Sequence, residues 1–253
     1  MTREDDRATF LLAVQFLTRI PVGDPGYTPE RMARTPRWHP GVGVVIGLLT
    51  GLVFWLAAMV WPPLLAAIFS TAFGLLLTGC FHEDGFADCC DGLGGGSTRE
   101  RALEIMRDSR LGTYGTAGLA MMLAGKVAAL SALPPGAVVW ALVAGHAVSR
   151  ASSVQVLASA AYVRDHGTGK PVSDGILPED LRVALLTGGV ALLPLALAVG
   201  VWAVACGLIG MAAGHVAMRS RFERRLGGYT GDCLGAVQQC SEVGFYLGLL
   251  LWL

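Results

Sequence analysis

Prolines cut this chain into apolar runs of bilayer length. Gly41–Trp61 carries no charged residue, Pro62-Pro63 interrupts it, and Leu64–Phe81 resumes an uncharged run. A helix crosses the hydrocarbon core of a bilayer with about 20 apolar residues. In that medium only helices or closed barrels satisfy their own backbone groups, and runs this long and this uniformly apolar are helical in period. The same pattern recurs at Gly115–Leu133, then a Pro134-Pro135-Gly136 turn, then Ala137–Ala158. Residues 183–218 suffice for two short spans, 183–200 and 201–218, broken near Pro194–Gly200, and 234–253 closes the chain. The expectation is an all-α polytopic membrane bundle with about seven transmembrane helices, forming one domain over 1–253. Residues 8–20 are too few to cross and predict an interfacial helix stopped by Pro21. Residues 22–40, 159–182 and 219–233 read as polar loops.

Charge tests that layout. Only 15% of residues are charged, against about 25% in soluble domains, and the net charge is zero, so no global field points to nucleic acid. Of the 19 Lys and Arg, 17 lie in the N-terminal region to residue 40 and in the segments 82–114, 159–182 and 219–233. The two proline turns carry none. With seven spans all four basic segments fall on one face, which the positive-inside rule makes cytoplasmic. The six cysteines form no CxxC pair and read as buried, reduced side chains.

The chemistry is concentrated in residues 82–114, between two of the apolar runs. Glu83, Asp84, Asp88 and Asp91 set four carboxylates within nine residues, and Arg99, Arg101, Arg107 and Arg110 follow among glycines. If this stretch continues the preceding helix, Asp84, Asp88 and Asp91, at i, i+4 and i+7, share one face. Like charges so placed call for protonation or a cation, and oxygen-only donors favour Mg²⁺, which keeps waters and shares a phosphate. Thr98–Arg110 predicts a surface helix capped by Ser97 or Thr98. Arg107-Asp108-Ser109-Arg110 offers two guanidiniums suited to bidentate phosphate contact. A solvated acidic loop is the plainer alternative; the abutting apolar run argues against it.

Charge also appears inside the spans. Lys126 sits near the middle of one, and His146, Ser149, Arg150 and Ser153 share a face of the next. Such residues normally face a cavity or a partner, although Arg150 near a span end could simply snorkel. In the segment 226–242, Asp232 predicts an N-cap of the last span. Glu242, deeper in it, is expected to pair with Lys126, Arg150 or a metal.

Five segments carry a resemblance: FLTRIPV (16–22), FHEDGFADCCDG (81–92), ALEIMRDSRLGTYG (102–115), HAVSR (146–150) and LGGYTGDCLGA (226–236). They are similar to the cobalamin (5′-phosphate) synthase family, whose members are adenosylcobinamide-GDP ribazoletransferases. Cys89-Cys90 stands where that family commonly has Thr followed by Ala or Cys. The resemblance implies a multi-pass transferase of the inner membrane with its site on the cytoplasmic face. It joins adenosylcobinamide-GDP to α-ribazole or α-ribazole 5′-phosphate, releases GMP and uses Mg²⁺. A ribose hydroxyl would attack the phosphorus nearer the corrinoid. On that reading Glu83, Asp84, Asp88 and Asp91 hold the metal. Arg107, Arg110, Lys126 and Arg150 neutralise phosphate, with Asp108 and His146 beside the substrate. Asp232 or Glu242 completes the metal shell or takes the hydroxyl proton. The partners are these small molecules, membrane lipid and, for a bundle of this kind, a second copy in a homo-oligomer.

Two rivals share some of these features. The CDP-alcohol phosphotransferases, also Mg²⁺-dependent membrane enzymes, have a signature opening like DGFADCCDG, but Asp88 stands at their Arg and their later aspartates are missing. A secondary transporter would use Lys126, His146, Arg150 and Glu242 as a midplane pathway. No inverted repeat supports it.

Overall fold

The structure is a computed structural model and describes residues 3–164, 172 and 176–253. Residues 165–171 and 173–175 of the expected 159–182 loop therefore lie outside the described residues. Twelve α-helices are described: α1 (Arg3–Leu17), α2 (Pro29–Arg34), α3 (His39–Ala58), α4 (Pro63–Thr78), α5 (Phe81–Gly95), α6 (Arg99–Ile105), α7 (Thr113–Ala132), α8 (Pro135–Ser159), α9 (Pro178–Val190), α10 (Leu193–Val199), α11 (Val201–Leu226) and α12 (Gly231–Leu250). No strand is present among the described residues; a single bridge pairs Tyr162 with Tyr229.

Every expected span coincides with a helix, but not every helix is apolar enough to cross alone. Five segments are: 29–58, 113–132, 135–159, 178–199 and 201–226. A sixth is reached if α4 and α5 count as one broken span. The seventh, α12, carries Asp232, Gln238, Gln239 and Glu242 along its length and falls outside that set. Membrane-spanning character therefore rests on five or six helices, and α12 is carried by its packing.

Helix α8 is the axis, with 89% of its most apolar window buried. Helix α3 lies against it through Gly43, Gly47 and Gly51, one turn apart. A Cβ on Gly43 would collide with the His146 carbonyl, and one on Gly47 would stand 2.5 Å from Val143 Cα. Small residues let backbones approach where lipid supplies no hydrophobic drive between helices. Helices α11 and α12 do the same through Gly210 and Gly244, each meeting the other's carbonyl.

Three of the connecting segments contain helix. Residues 29–38 form α2 and a 3₁₀ turn. They are pinned to α9 by buried Asp180, which takes Arg34 at 2.9 Å and Arg37 at 3.2 Å. The expected loop 219–233 is largely the last two turns of α11, which ends at Gly227 in a left-handed conformation (φ 75). The acidic stretch is helical but does not continue α4: Gly79 (φ 64) and Cys80 (φ 59) are both left-handed, and α5 leaves at 91°. Cys80 is the only described non-glycine residue with positive φ, a conformation that normally favours glycine. Helix α5 therefore lies across the end of the bundle.

The basic segments meet at that end. Arg99 donates to the Leu226 carbonyl (2.8 Å), and Arg225 donates to the Gly96 and Ser97 carbonyls (2.8 and 2.7 Å).

Candidate active site

Helix α5 presents its carboxylates to three surroundings. On one side Gly85 packs on Asp232 of α12, where an added Cβ would lie 2.9 Å from the Asp232 Cα and carbonyl oxygen. Gly235 packs on the His82 backbone in the same way. This glycine-to-backbone crossing brings Asp84 and Asp232 onto one cavity of about 210 Å³, although 148 residues separate them in sequence. Asp84 is exposed, and its side chain makes no hydrogen bond or ion pair among the described residues. Asp88, half-buried one turn on, lies in the field of both aspartates and of Arg164. Asp232 is fixed: its Oδ2 takes Arg164 at 2.8 Å and the Thr230 hydroxyl at 3.3 Å. The expected N-cap role falls to Thr230 by position, without a side-chain hydrogen bond to the capped backbone N–H groups, and Asp232 stands in the first turn.

Asp91 is directed elsewhere. Its two oxygens accept from the backbone N–H groups of Gly112 (2.7 Å) and Gly115 (2.8 Å), so it anchors the start of α7. A carboxylate at a helix N-terminus satisfies orphan donors and opposes the helix dipole. Both oxygens are thereby taken, so of the three aspartates on the shared face Asp84 and Asp88 gather at Asp232 and Asp91 does not.

Glu83 points into the bundle, where a second polar group has assembled around Glu242. Glu242 is fully buried, and each of its oxygens has partners. Oε1 meets Lys126 Nζ at 3.2 Å and the Tyr246 hydroxyl at 3.0 Å; Oε2 meets His146 Nδ1 at 3.3 Å and Gln238 Nε2 at 2.7 Å. Gln239 links the group to α5, accepting from Lys126 Nζ (2.9 Å) and donating to Glu83 Oε1 (2.9 Å). Arg150, 2% exposed, donates to the His146 carbonyl at 3.0 Å, so it does not snorkel. Lys126, His146, Arg150 and Glu242, singled out within the spans, thus form one network, as their expected pairing requires. It lines a small cavity distinct from the one holding Asp84 and Asp232, and Glu242 has no free oxygen to offer there. Buried charges are tolerated when they are paired and hydrogen-bonded.

The arginine segment is open to solvent. Thr98 caps α6 by accepting from Arg101 N; the helix is shorter than the expected Thr98–Arg110, because residues 106–112 turn back toward α7. Arg110 is paired with Asp108 at 2.6 Å, and its hydrogen bonds hold that carboxyl down at about 2. An exposed pair of this kind is weak, so the Arg110 guanidinium remains available to a stronger anion. Arg107 is exposed nearby.

Sequence reading missed Arg164, counted there only as a basic loop residue. It bridges Asp232 to the Met106 carbonyl (3.3 Å) and so ties the arginine segment to the carboxylates. Gln238 and Tyr246 were missed too. Their spacing from Glu242, i−4 and i+4, was the available signal.

Among the described residues no three His, Cys, Asp or Glu side chains are gathered closely enough to enclose a metal alone. The donors do suit a hard cation of another kind. Asp84 and Asp232 offer oxygen into one cavity, and Mg²⁺ is commonly held by one or two carboxylates with waters and a substrate phosphate.

Residues 9–250 match the family model for cobalamin-5-phosphate synthase. Curated relatives named adenosylcobinamide-GDP ribazoletransferase include one from Leptothrix cholodnii, 47% identical over 95% of this chain and 94% of its own. Others come from Vibrio parahaemolyticus, 42% identical over 95% and 91%, and from a Polaromonas species, 43% identical over 95% and 95%. No solved structure matches.

Proposed function

The chain belongs to the cobalamin-5-phosphate synthase family, and from that premise we propose that Asp84, Asp88 and Asp232 form the centre at which it joins adenosylcobinamide-GDP to a ribazole and releases GMP. The observation that carries this reading is the convergence of Asp84 and Asp232 on one cavity, beside a segment whose arginines are exposed.

The reaction breaks the bond between the two phosphorus atoms' bridging oxygen and the phosphorus nearer the corrinoid, and forms a new ester to a ribose hydroxyl. GMP leaves with the bridging oxygen, and the hydroxyl proton must be accepted. Displacements of this kind depend on alignment and charge neutralisation more than on covalent help. Asp232, held by Arg164 and Thr230, is a fixed carboxylate at the cavity. The Asp84 side chain has two free oxygens, one to hold the metal and one to accept the hydroxyl proton in this scheme. Arg107 and Arg110 hold the phosphate oxygens of the donor and of departing GMP, Arg110 by exchanging Asp108 for phosphate. Asp84 and Asp232, the two carboxylates on the one cavity, with Asp88 beside them, would hold Mg²⁺, which would supply neutralisation of the charge that builds on the leaving group. Asp91 and Glu83 contribute by holding α5, and Lys126, His146, Arg150 and Glu242 by holding α12 against it. The site lies at the cytoplasmic face of the inner membrane in this reading, supported by the arginine-rich segments around it.

The test is GMP release by detergent-solubilised protein given adenosylcobinamide-GDP and α-ribazole, with and without Mg²⁺. Release that requires both substrates and the metal is expected. Release unaffected by a chelator would remove the metal role, and conversion of a CDP-alcohol instead would replace the family's reaction with the rival one.

A further inference from the structure

The chain that leaves α8 is stitched to the turn that enters α12. Tyr229 N donates to the Ala161 carbonyl (2.9 Å) and Val163 N donates to the Tyr229 carbonyl (3.0 Å), a parallel bridge between Tyr162 and Tyr229. The two tyrosine rings meet edge-on at 5.4 Å. Gly228 admits this approach, since a Cβ there would lie 2.2 Å from the Ala161 carbonyl oxygen. The bridge carries Arg164, the residue after Val163, to the first turn of α12. Its side chain is 10% exposed, and its fork is divided between two elements: Nη1 meets Asp232 Oδ2 at 2.8 Å, and Nη2 donates to the Met106 carbonyl at 3.3 Å. Met106 is the C-cap of α6 and precedes Arg107, with Arg110 three residues further on. One guanidinium thus touches a carboxylate of the cavity at one nitrogen and the start of the arginine segment at another.

We propose that Arg164 is a positioning residue for the transfer: its fork sets the spacing between the carboxylates that would hold the metal and the arginines that would hold the diphosphate, so that both grip one substrate at once. The inference rests on the reaction proposed above and adds to it a residue that acts through others. A phosphoryl displacement needs the leaving group neutralised while the attacked phosphorus is held in line, and a misplacement of about 1 Å costs of the order of 10² in rate. The two grips stand on different elements. Asp84 and Asp88 belong to α5, Asp232 to α12, and Arg107 and Arg110 to the turn between α6 and α7. A cation at Asp232 also fits the charge. Asp84, Asp88 and Asp232 bring three negative charges, Arg164 offsets one, and the remaining two match one divalent ion. Charge alone does not account for arginine at this place, since an ammonium beside Asp232 would supply it. What an ammonium lacks is a rigid planar fork with donors fixed on two sides.

The full-length protein in detergent provides the test, with Mn²⁺, read by electron paramagnetic resonance, in place of Mg²⁺ and with GMP as the nucleotide probe. Arg164→Lys keeps the charge and loses the fork. It is expected to melt near the wild-type temperature and to bind Mn²⁺ alone and GMP alone within about threefold of wild type, while kcat falls by at least about tenfold. The distinguishing readout is coupling. In wild-type protein Mn²⁺ and GMP should each tighten the other by about tenfold, and in Arg164→Lys that factor should fall to about two or below. A general loss of stability does not produce this pattern, because each ligand still binds by itself. Arg164→Gln, which removes the charge as well, should also lose the coupling, and it decides if the lysine variant fails to accumulate. Wild-type coupling and turnover in either variant would overturn the assignment, as would the absence of coupling in the wild type. Weakened Mn²⁺ binding with coupling intact would overturn it too, by making Arg164 a support of Asp232 alone. Wild-type protein that couples Mn²⁺ to GMP yet transfers nothing would instead sink the proposed reaction and leave the spacing role standing.

Discussion

Replacing Asp84 and replacing Asp91 probes two properties of one helix. Asp84 is free at the cavity, whereas Asp91 has both oxygens on backbone N–H groups at the start of α7. Asp84→Asn is therefore expected to lower kcat by about 10²–10⁴, with protein yield and melting temperature near wild type. Asp91→Ala leaves two backbone donors without their carboxylate and should destabilise by roughly 1–3 kcal/mol for each that stays buried, with activity lost in proportion to folded protein. Thermal unfolding in detergent alongside GMP release separates the two. If Asp91→Ala keeps its stability and loses only turnover, the anchoring role is wrong. Inside the bundle the same logic applies to charge. Glu242→Gln strips Lys126 and His146 of their counter-charge, and breaking a buried pair from one side costs about 3–5 kcal/mol. Lys126→Met in the same chain should restore part of that loss, because the buried ammonium is then no longer left without its carboxylate. A double variant as unstable as the single one would show that Glu242 does something other than balance Lys126.

Helix α5 shows what a sequence reveals about an element and what it withholds. The i, i+4, i+7 spacing put Asp84, Asp88 and Asp91 on one face if the stretch continued the preceding helix; the stretch is helical, but as a separate helix. Nothing in the spacing announced that Gly79 and Cys80 would turn it by 91°, nor that its three aspartates would be divided between a cavity and the start of α7. Those outcomes depend on what stands opposite, and the opposite elements come from residues 112–115 and 230–235. Arg164 was hidden for the same reason: a basic residue in a polar loop has no pattern until its partner, Asp232, is known. By contrast, the pairing of Glu242 with Lys126 could be anticipated, because a lone charge in an apolar span must find its opposite. The α5–α12 crossing itself is testable. Gly85→Ala sets a methyl group about 2.9 Å from the Asp232 backbone, which only a separation of the two helices can relieve. A fall in kcat of at least tenfold is expected, with the protein still folded, since displacement of a site by an ångström is costly to catalysis. Wild-type turnover in that variant would mean that the two aspartates need not be held together.

At the scale of the molecule, the fold sets a contradiction that its packing resolves. Helix α12 carries Asp232, Gln238, Gln239 and Glu242 and is not among the helices apolar enough to cross alone, yet its Phe245, Tyr246 and Leu249 are fully buried. It is enclosed by neighbours that supply partners for its polar groups and small residues for its approach, so the lipid-facing work falls to the helices around it. This arrangement fixes sidedness. The hydrogen bonds from Arg99 to Leu226 and from Arg225 to Gly96 and Ser97 require the α5–α6 connection and the end of α11 to share one side of the membrane. The turns at Pro62-Pro63 and Pro134-Pro135, at the far ends of α3 and α7, must then share the other. The proposed cytoplasmic placement of the first side rests on its basic residues. A cysteine introduced at Arg101 or Arg224 should react with a membrane-impermeant thiol reagent only in inside-out vesicles, and one at Trp61 or Gly136 only in right-side-out vesicles. Labelling of Arg101→Cys and Arg224→Cys from opposite sides would break the contacts that join α6 to α11, and with them the route by which Arg164 and the arginine segment reach the carboxylates. Labelling of both from the outer side would keep the site intact and move it to the opposite compartment, away from any cytoplasmic supply of a GDP-linked substrate.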